Sequence, residues 1–259
     1  MILPRIIEMF MLKRTKILLH KVKGLKEYQH VFQELNYLSL KGMNIGGDGD
    51  TNNSGEKSAL VYIFDKLAFK DDLVIFDVGA NIGKYTILLH EVFGENTNIF
   101  SFEPSKKTFN KLIENTKLFK NTKLHNFGFG KEDAFLTLYS NEEESGLASV
   151  YKRRLNHFNI DMNLKEDIEI KTIDTFCYEN NIDKINFLKL DIEGNELNAL
   201  EGAKKMLDNH KIDFIQFEFG GCNIDSRTYF QDFYYLLNEN FYIFRIVIDG
   251  LYLIDNYKE

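Results

Sequence analysis

The sequence predicts an α/β fold: a doubly wound, Rossmann-like sheet with a C-terminal antiparallel hairpin and a helical N-terminal extension. Three observations carry this. From about residue 72 onward, short β-rich runs alternate with helical patterns. A glycine-rich turn, Asp77-Val78-Gly79-Ala80-Asn81-Ile82-Gly83, lies directly between the first such run and the first helix. Two final strand-like runs are joined around Asp249-Gly250, a pair suited to a tight hairpin turn.

Residues 1–65 read as an extension of helices joined by the polar loop 46–55. Its first 26 residues carry Arg5, Lys13, Arg14, Lys16, Lys21, Lys23 and Lys26 against a single acid, Glu8. Ile2, Leu3, Ile6, Ile7, Phe10, Ile17 and Leu18 are interleaved with them. That pattern suits a basic amphipathic helix lying on a membrane, and it equally suits a helix docked on the domain with its lysines in water. The domain itself spans 66–259. Its predicted strands are 73–78, 98–102, 123–128, 185–190 and 213–219, with an inserted pair of edge strands at 134–140 and 168–173 and the hairpin 241–248/251–254. Helices are expected after the glycine turn to about Phe93, over 105–118, from Glu196 to Leu207, and near 227–237.

Bulk properties narrow the function. With 44% hydrophobic residues and 23 Phe but no Trp, the chain builds a thick apolar core more readily than an exposed stacking surface. A net charge of −7 gives no support for a general nucleic-acid binder. Cys177 and Cys222 form no CxxC pair, which excludes a disulfide scaffold or a thiolate zinc site and favours a reducing, cytoplasmic setting. No run reaches the ~18 uncharged apolar residues of a membrane span. Arg5 and Glu8 interrupt the apolar start, which does not read as a signal peptide.

The chemistry gathers at the predicted strand ends. Gly79 and Gly83 permit a tight turn and close approach of a ligand, and the helix behind them offers free N–H groups to an anionic one. The spacing is GxxxG, not GxGxxG, and Asp77 stands two residues before the first glycine. A carboxylate there repels a pyrophosphate but receives the ammonium of a methionine moiety, which favours S-adenosylmethionine over a nicotinamide dinucleotide. Glu103, at the tip of the second strand before Pro104, sits where a ribose diol would be accepted. The stretch 126–133, with Phe127 and Gly128, is a candidate adenine wall.

On the reaction side, alternation puts Lys189 and Asp191 on one side of the fourth strand's end, followed closely by Glu193. The fifth strand adds Glu218. Such a cluster is either a mutually satisfied ion-pair network or the place where an acceptor hydroxyl loses its proton, with Asp191, Glu193 and Glu218 as candidate bases. No metal is assigned, although neighbouring acids leave a divalent ion open. Residues 141–165 are a candidate lid, in which Arg153 and Arg154 would meet an anionic acceptor or simply face solvent.

The segments Asp77–Thr86 (DVGANIGKYT), Phe102–Pro104 (FEP), Lys171–Phe176 (KTIDTF), Lys189–Glu196 (KLDIEGNE) and the FEF ending around Glu218 resemble the FkbM family of methyltransferases over roughly 55–255. The resemblance implies a class I methyltransferase fold that uses S-adenosylmethionine to methylate hydroxyl oxygens of sugars in polysaccharides and glycolipids, or of small secondary metabolites. It implies that Asp77, Gly79, Asn81 and Glu103 bind the cofactor and that Lys189, Asp191 and Glu193 line the reaction centre. Ala80, Gly83, Tyr85, Thr86 and Pro104 fall within the matched cofactor segments. Ser54-Gly55-Glu56 is similar to a segment upstream of the family core, which adds Glu56 to the cofactor side. Where some members carry a histidine after the fifth strand, this chain has Gly220-Gly221-Cys222, so a histidine base is missing there. A non-catalytic binding module on the same fold is the reading from another class.

Overall fold

The computed structural model describes residues 13–46, 54–70, 72–94 and 97–258, so Arg5, Glu8 and the apolar start of the extension lie outside the described residues. The chain divides into two compact units, Met1–Ser54 and Gly55–Glu259. In the first, helix α1 covers 13–22 and α2 covers Gln29–Gly42.

The second unit begins with helix α3 (Glu56–Leu67), which the sequence reading had placed at the end of the extension. Its Leu60, Ile63 and Leu67 pack into the same apolar cluster as Leu88 and Leu89 of helix α4 (Lys84–Phe93). Five strands, β1 (Val74–Val78), β2 (Asn98–Phe102), β3 (Thr122–His125), β7 (Ile185–Leu190) and β8 (Ile212–Phe217), form a parallel sheet in the order β3-β2-β1-β7-β8. The chain moves outward from β1 to β3 and then returns to β1's other side with β7. The switch point between β1 and β7 is where ligands bind in such sheets.

Residue parity sorts the two faces. Ile75, Ile99 and Phe187 face α3 and α4. Phe76, Val78, Phe100, Phe102, Leu188 and Leu190 build the larger core. Against that core lie helices α6 (Ile173–Glu179), α7 (Glu196–Glu201), α8 (Lys204–Asp208) and α10 (Phe230–Leu237). Rings of Phe76, Phe102, Phe129 and Phe176 meet there at centroid distances of 4.6–6.3 Å, which is where the Phe-rich composition is spent.

Four expected elements differ from the structure. The strands at β5 (Ala134–Ser140) and β6 (Leu164–Lys171) do not edge the parallel sheet; with β4 (Gly128–Phe129) they make a separate sheet, ordered β4-β6-β5. The run 123–128 is therefore broken, because Gly128 and Phe129 pair with Ile170 and Lys171 instead of continuing along β2. The helix expected from Glu196 to Leu207 splits at Gly202. A Cβ at Gly202 would lie 2.0 Å from the Gly130 carbonyl oxygen, and Asp174 caps α8 by accepting from the amides of Lys205 (2.8 Å) and Met206 (3.0 Å). The expected C-terminal hairpin is present as β9 (Phe244–Val247)/β10 (Gly250–Leu253), a two-stranded sheet of its own among the described residues. It rests on the start of α3: Ser58 donates to the Ile248 carbonyl at 3.0 Å, and a Cβ at Gly55 would fall 2.2 Å from the Val247 carbonyl oxygen.

Candidate functional site

A row of polar residues crosses the C-terminal end of the sheet on its α4 side. Register pairs Ser101 with Asp77, Asp77 with Lys189, and Lys189 with Gln216. The row is laid over the apolar floor of Ile75, Ile99 and Phe187 one alternation earlier, so the face changes character within a single step along each strand. Asp77 and Lys189 are 0% and 3% exposed, and burial on this scale requires the partners they have. Lys189 Nζ stands 3.0 Å from Asp191 Oδ2 and 3.7 Å from Asp77 Oδ1, and 4.4 Å above the Tyr85 ring. Burial works against the Lys189 ammonium, but the charges of Asp191 and Asp77 outweigh it and hold the group above its usual range. Burial raises Asp77 in spite of Lys189 and Thr86.

Thr86 is fully buried and donates to Asp77 Oδ2 at 2.6 Å, so it props the carboxylate from beneath. Asp77 Oδ1 has no hydrogen-bond partner. The row extends past the sheet: the Tyr85 hydroxyl donates to Gln216 Oε1 (2.9 Å), and Gln216 Nε2 donates to Glu56 Oε1 (3.0 Å). Glu56 thus joins the site through two side chains.

Glu103 organises the neighbouring strand end. Its Oε2 accepts the Asn81 amide at 3.1 Å and its Oε1 the Ser105 amide at 2.9 Å, which ties the glycine turn to the start of helix α5 (Lys106–Thr116). Burial lifts its carboxyl to about 7. Each oxygen keeps one further lone pair for a hydroxyl. Asn126 fixes this corner by donating to the carbonyls of Glu103 and Pro104, both at 2.9 Å. Pro104 and Gly128 lie close together, whereas Phe127 is buried in the aromatic core.

Gly79 and Gly83 make the expected tight turn, and the direction in which each lacks a side chain is taken up by neighbouring chain. A Cβ on Gly79 would sit 1.8 Å from the Asp191 carbonyl oxygen, and one on Gly83 would sit 2.8 Å from Leu112 Cδ1. Both residues have positive φ, 82° and 92°, so they serve the turn and the packing of chain on chain. Ala80 is buried, and Asn81 itself adopts φ 48°.

After β7 the chain turns sharply through Asp191, Ile192, Glu193 and Gly194. Glu196 is fully buried and holds this turn by accepting the amides of Ile192 (2.9 Å) and Gly194 (3.0 Å). Glu193 is a non-glycine residue at φ 51°, a strained conformation that the surrounding contacts impose. Its carboxylate is ion-paired with Arg153, and its carbonyl accepts from Ser149 Oγ at 2.7 Å. Burial raises the Glu193 carboxyl to about 7, against the pull of Arg153. Partial burial would raise Asp191 too, but Lys189 and the neighbouring Glu218 hold it below its usual value. Glu218 lies at the rim, where enclosure and the charges of Asp191 and Glu193 push it up to about 9. Ligating atoms of Glu193, Glu218 and Cys222 lie within 4.8 Å of one another, a grouping that can also hold a cation. Burial lifts the thiols of Cys177 and Cys222 to about 12, so neither is a thiolate at neutral pH.

The segment after β5 is anchored over this site. The Asn81 side chain donates to the Ser145 carbonyl at 3.1 Å, and the Arg153 side chain, 8% exposed, also faces Asp225 at 3.8 Å. Arg154 remains exposed. Sequence reasoning therefore named the row's Asp77, Tyr85, Thr86 and Lys189, and the nearby Glu56, Glu103, Asp191, Glu193 and Glu218. It gave no individual role to Gln216, Ser145, Ser149 or Glu196, and it placed Asn126 only within the candidate adenine wall. Strand alternation from Glu218 back to Gln216 carried a signal for the first of these; the others depend on contacts that no periodicity reveals.

The family model described as Methyltransferase FkbM domain matches residues 77–244. Methyltransferase 1 of Beauveria bassiana is 30% identical over 167 residues, which cover 59% of this chain and 65% of that protein. Hexuronic acid methyltransferase AglP of Haloferax volcanii is 26% identical over 154 residues, covering 58% of each. The chain thus spans less than two thirds of the length of these two curated relatives. A crystal structure of Methyltransferase FkbM from Methylobacillus flagellatus KT matches 60% of this chain and 36% of that one, with 21% identity and a TM-score of 0.37.

Proposed function

The chain belongs to the FkbM methyltransferase family, and from that premise we propose that it transfers a methyl group from S-adenosylmethionine to a hydroxyl oxygen, on a sugar of a glycan or glycolipid precursor. The observation that carries the reading is the meeting of three strand ends at the switch point: Asp77, Glu103 and the Lys189–Asp191 pair. The residues fit the cofactor. Among the described residues Asp77 Oδ1 is a buried carboxylate oxygen that accepts no hydrogen bond, with Lys189 Nζ 3.7 Å away, and Glu103 retains lone pairs for a ribose diol beside the glycine turn. Asn81, Pro104 and Gly128 border the same corner.

S-adenosylmethionine, when bound, supplies an electrophilic methyl on a sulfonium, so that one C–S bond breaks as one O–C bond forms. The protein's part is to position the two reactants and to take the acceptor's proton. Lys189 keeps Asp191 ionised and oriented. Glu193, with a carboxyl near 7, is matched to proton uptake at neutral pH. Glu218, near 9, carries its proton at neutral pH and shares it with Asp191. The named activity of the Haloferax relative supports a sugar acceptor, and the two buried free cysteines suit a cytoplasmic setting.

Calorimetric titration with S-adenosylmethionine and S-adenosylhomocysteine tests the cofactor. Micromolar binding is expected in the wild type, with loss in Glu103→Ala and Asp77→Ala proteins that remain folded. A folded wild type that binds neither compound refutes the proposal.

A further inference from the structure

We propose that the first unit is a peripheral docking element for anionic lipid surfaces. The first unit holds eight Lys or Arg and five Asp or Glu, a net +3, within a chain whose total is −7, so the second unit carries −10; the excess sits in 13–46, with seven Lys or Arg against two Glu. So uneven a distribution gives one unit a field of its own, opposite in sign to the rest.

The basic residues accompany an apolar stripe. At 100° per residue, Leu18, Leu19 and Val22 of α1 fall on one side, while Lys13, Lys16 and Lys21 fall away from it, with Ile17 among them. On α2 the corresponding stripe is Val31, Phe32, Leu35 and Leu38. None of the described residues of this unit is buried; Leu18 and Leu38 are 66% and 61% exposed. A 14-residue helix such as α2 is marginal alone in water, and apolar faces only half-covered among the described residues suit a surface that covers them.

Charge selects the occupant. A second copy meeting this unit with its own would set like charge against like. A nucleic acid would use the lysines but leave the apolar stripes wet. An anionic bilayer surface takes both, with lysines at the headgroups and Leu18 and Val22 just beneath. No described helix is long and apolar enough to cross a membrane, so the contact is interfacial.

The test is sedimentation of the full chain with phosphatidylcholine vesicles, with or without one third phosphatidylglycerol. Binding is expected only to the anionic vesicles, at about 0.1 M salt, and lost near 1 M, as the screening length falls from ~10 Å to ~3 Å. The triple variant Lys16→Glu/Lys21→Glu/Lys23→Glu should weaken partitioning on the order of a hundredfold. Leu18→Ser/Val22→Ser should weaken it at least about tenfold. Unchanged melting temperatures would show that both variants stay folded, and the salt dependence of the wild type needs no variant at all. Failure to sediment at low salt, equal binding to neutral vesicles, or indifference to the charge reversals overturns the proposal. So does retention on a single-stranded RNA, or a dimer by light scattering that Leu18→Ser/Val22→Ser abolishes, in a protein that ignores vesicles.

Discussion

Replacing Lys189 by Met removes one charge from a buried trio while keeping most of the side chain's volume. What remains is Asp77, 0% exposed, with its nearest cation gone and one oxygen already lacking a hydrogen bond. Leaving a buried charge uncompensated costs about 3–5 kcal/mol. Asp191 adds little, because its side chain is 42% exposed and water screens it. For a domain of about 150–250 residues each kcal/mol moves Tm by ~2–4 °C, so Lys189→Met should melt roughly 6–20 °C below the wild type near neutral pH. The deficit has a required pH dependence. Burial without Lys189 raises the Asp77 carboxyl further, so the folded variant binds a proton that the unfolded chain has already released. Stability then falls as pH rises above the unfolded value near 3.9, and the gap to the wild type should widen from pH 5 to pH 8. Adding Asp77→Asn removes the stranded charge and should recover most of the loss. Calorimetric melts of the four proteins of this cycle at both pH values measure it. A loss under about 2 °C, or equal losses with Asp77 and Asn at position 77, would refute the claim that the row is held by mutual compensation.

Four further outcomes follow from the same geometry. Glu103, lifted by burial to about 7, must be ionised to accept two hydroxyls in the role proposed for it. Affinity for S-adenosylhomocysteine should therefore drop by up to about tenfold per unit below pH 7, a slope that titrations at pH 6 and 8 would reveal and that Glu103→Gln should flatten. The same raised value means that ionising Glu103 opposes folding in the ligand-free protein, whose stability should decline between about 4.5 and about 7. Turnover against pH should rise through about 7 as Glu193 ionises. Glu193→Gln should remove that acid limb while leaving cofactor affinity within about threefold, and a limb that survives the substitution would assign the base elsewhere. Finally, Gly79→Ala puts a Cβ where the Asp191 carbonyl now lies and adds about 1–2 kcal/mol for a left-handed alanine. Displacing Asp191 by about 1 Å should cost on the order of a hundredfold in turnover; a variant that folds and turns over normally would show that the loop yields freely.

How far the site could be read from sequence depended on what placed each residue. Asp77, Glu103, Lys189, Asp191 and Glu218 lie at or just beyond the ends of apolar runs, and position along a strand together with alternation was enough to bring them to one sheet edge. The fold class was legible for the same reason. Contacts made across loops were not. Arg153 reaches Glu193 and Ser145 reaches Asn81 through a segment with no period to read, and β4 leaves β3 to join β6 because of pairing that depends on residues 40 positions away. Nor could sequence show that Glu196, one acid among several, spends itself on backbone amides inside the fold.

The glycine turn is the instructive case, because its position and its tight turn were legible and the chain that Gly79 makes room for was not. Gly79 lacks a side chain in favour of the Asp191 carbonyl, while the Asp191 amide donates to the Val78 carbonyl at 3.0 Å. The loop after β1 and the loop after β7 are therefore locked backbone to backbone at the switch point. Asp77 and Lys189 sit one step below that lock, directly paired in register. Two sequence motifs more than a hundred residues apart thus behave as one mechanical part, and a change in either should move the carboxylates of both. Cofactor binding and proton transfer, assigned to different strands, are then coupled through Gly79, and substitutions there should lower affinity and turnover together instead of separating them.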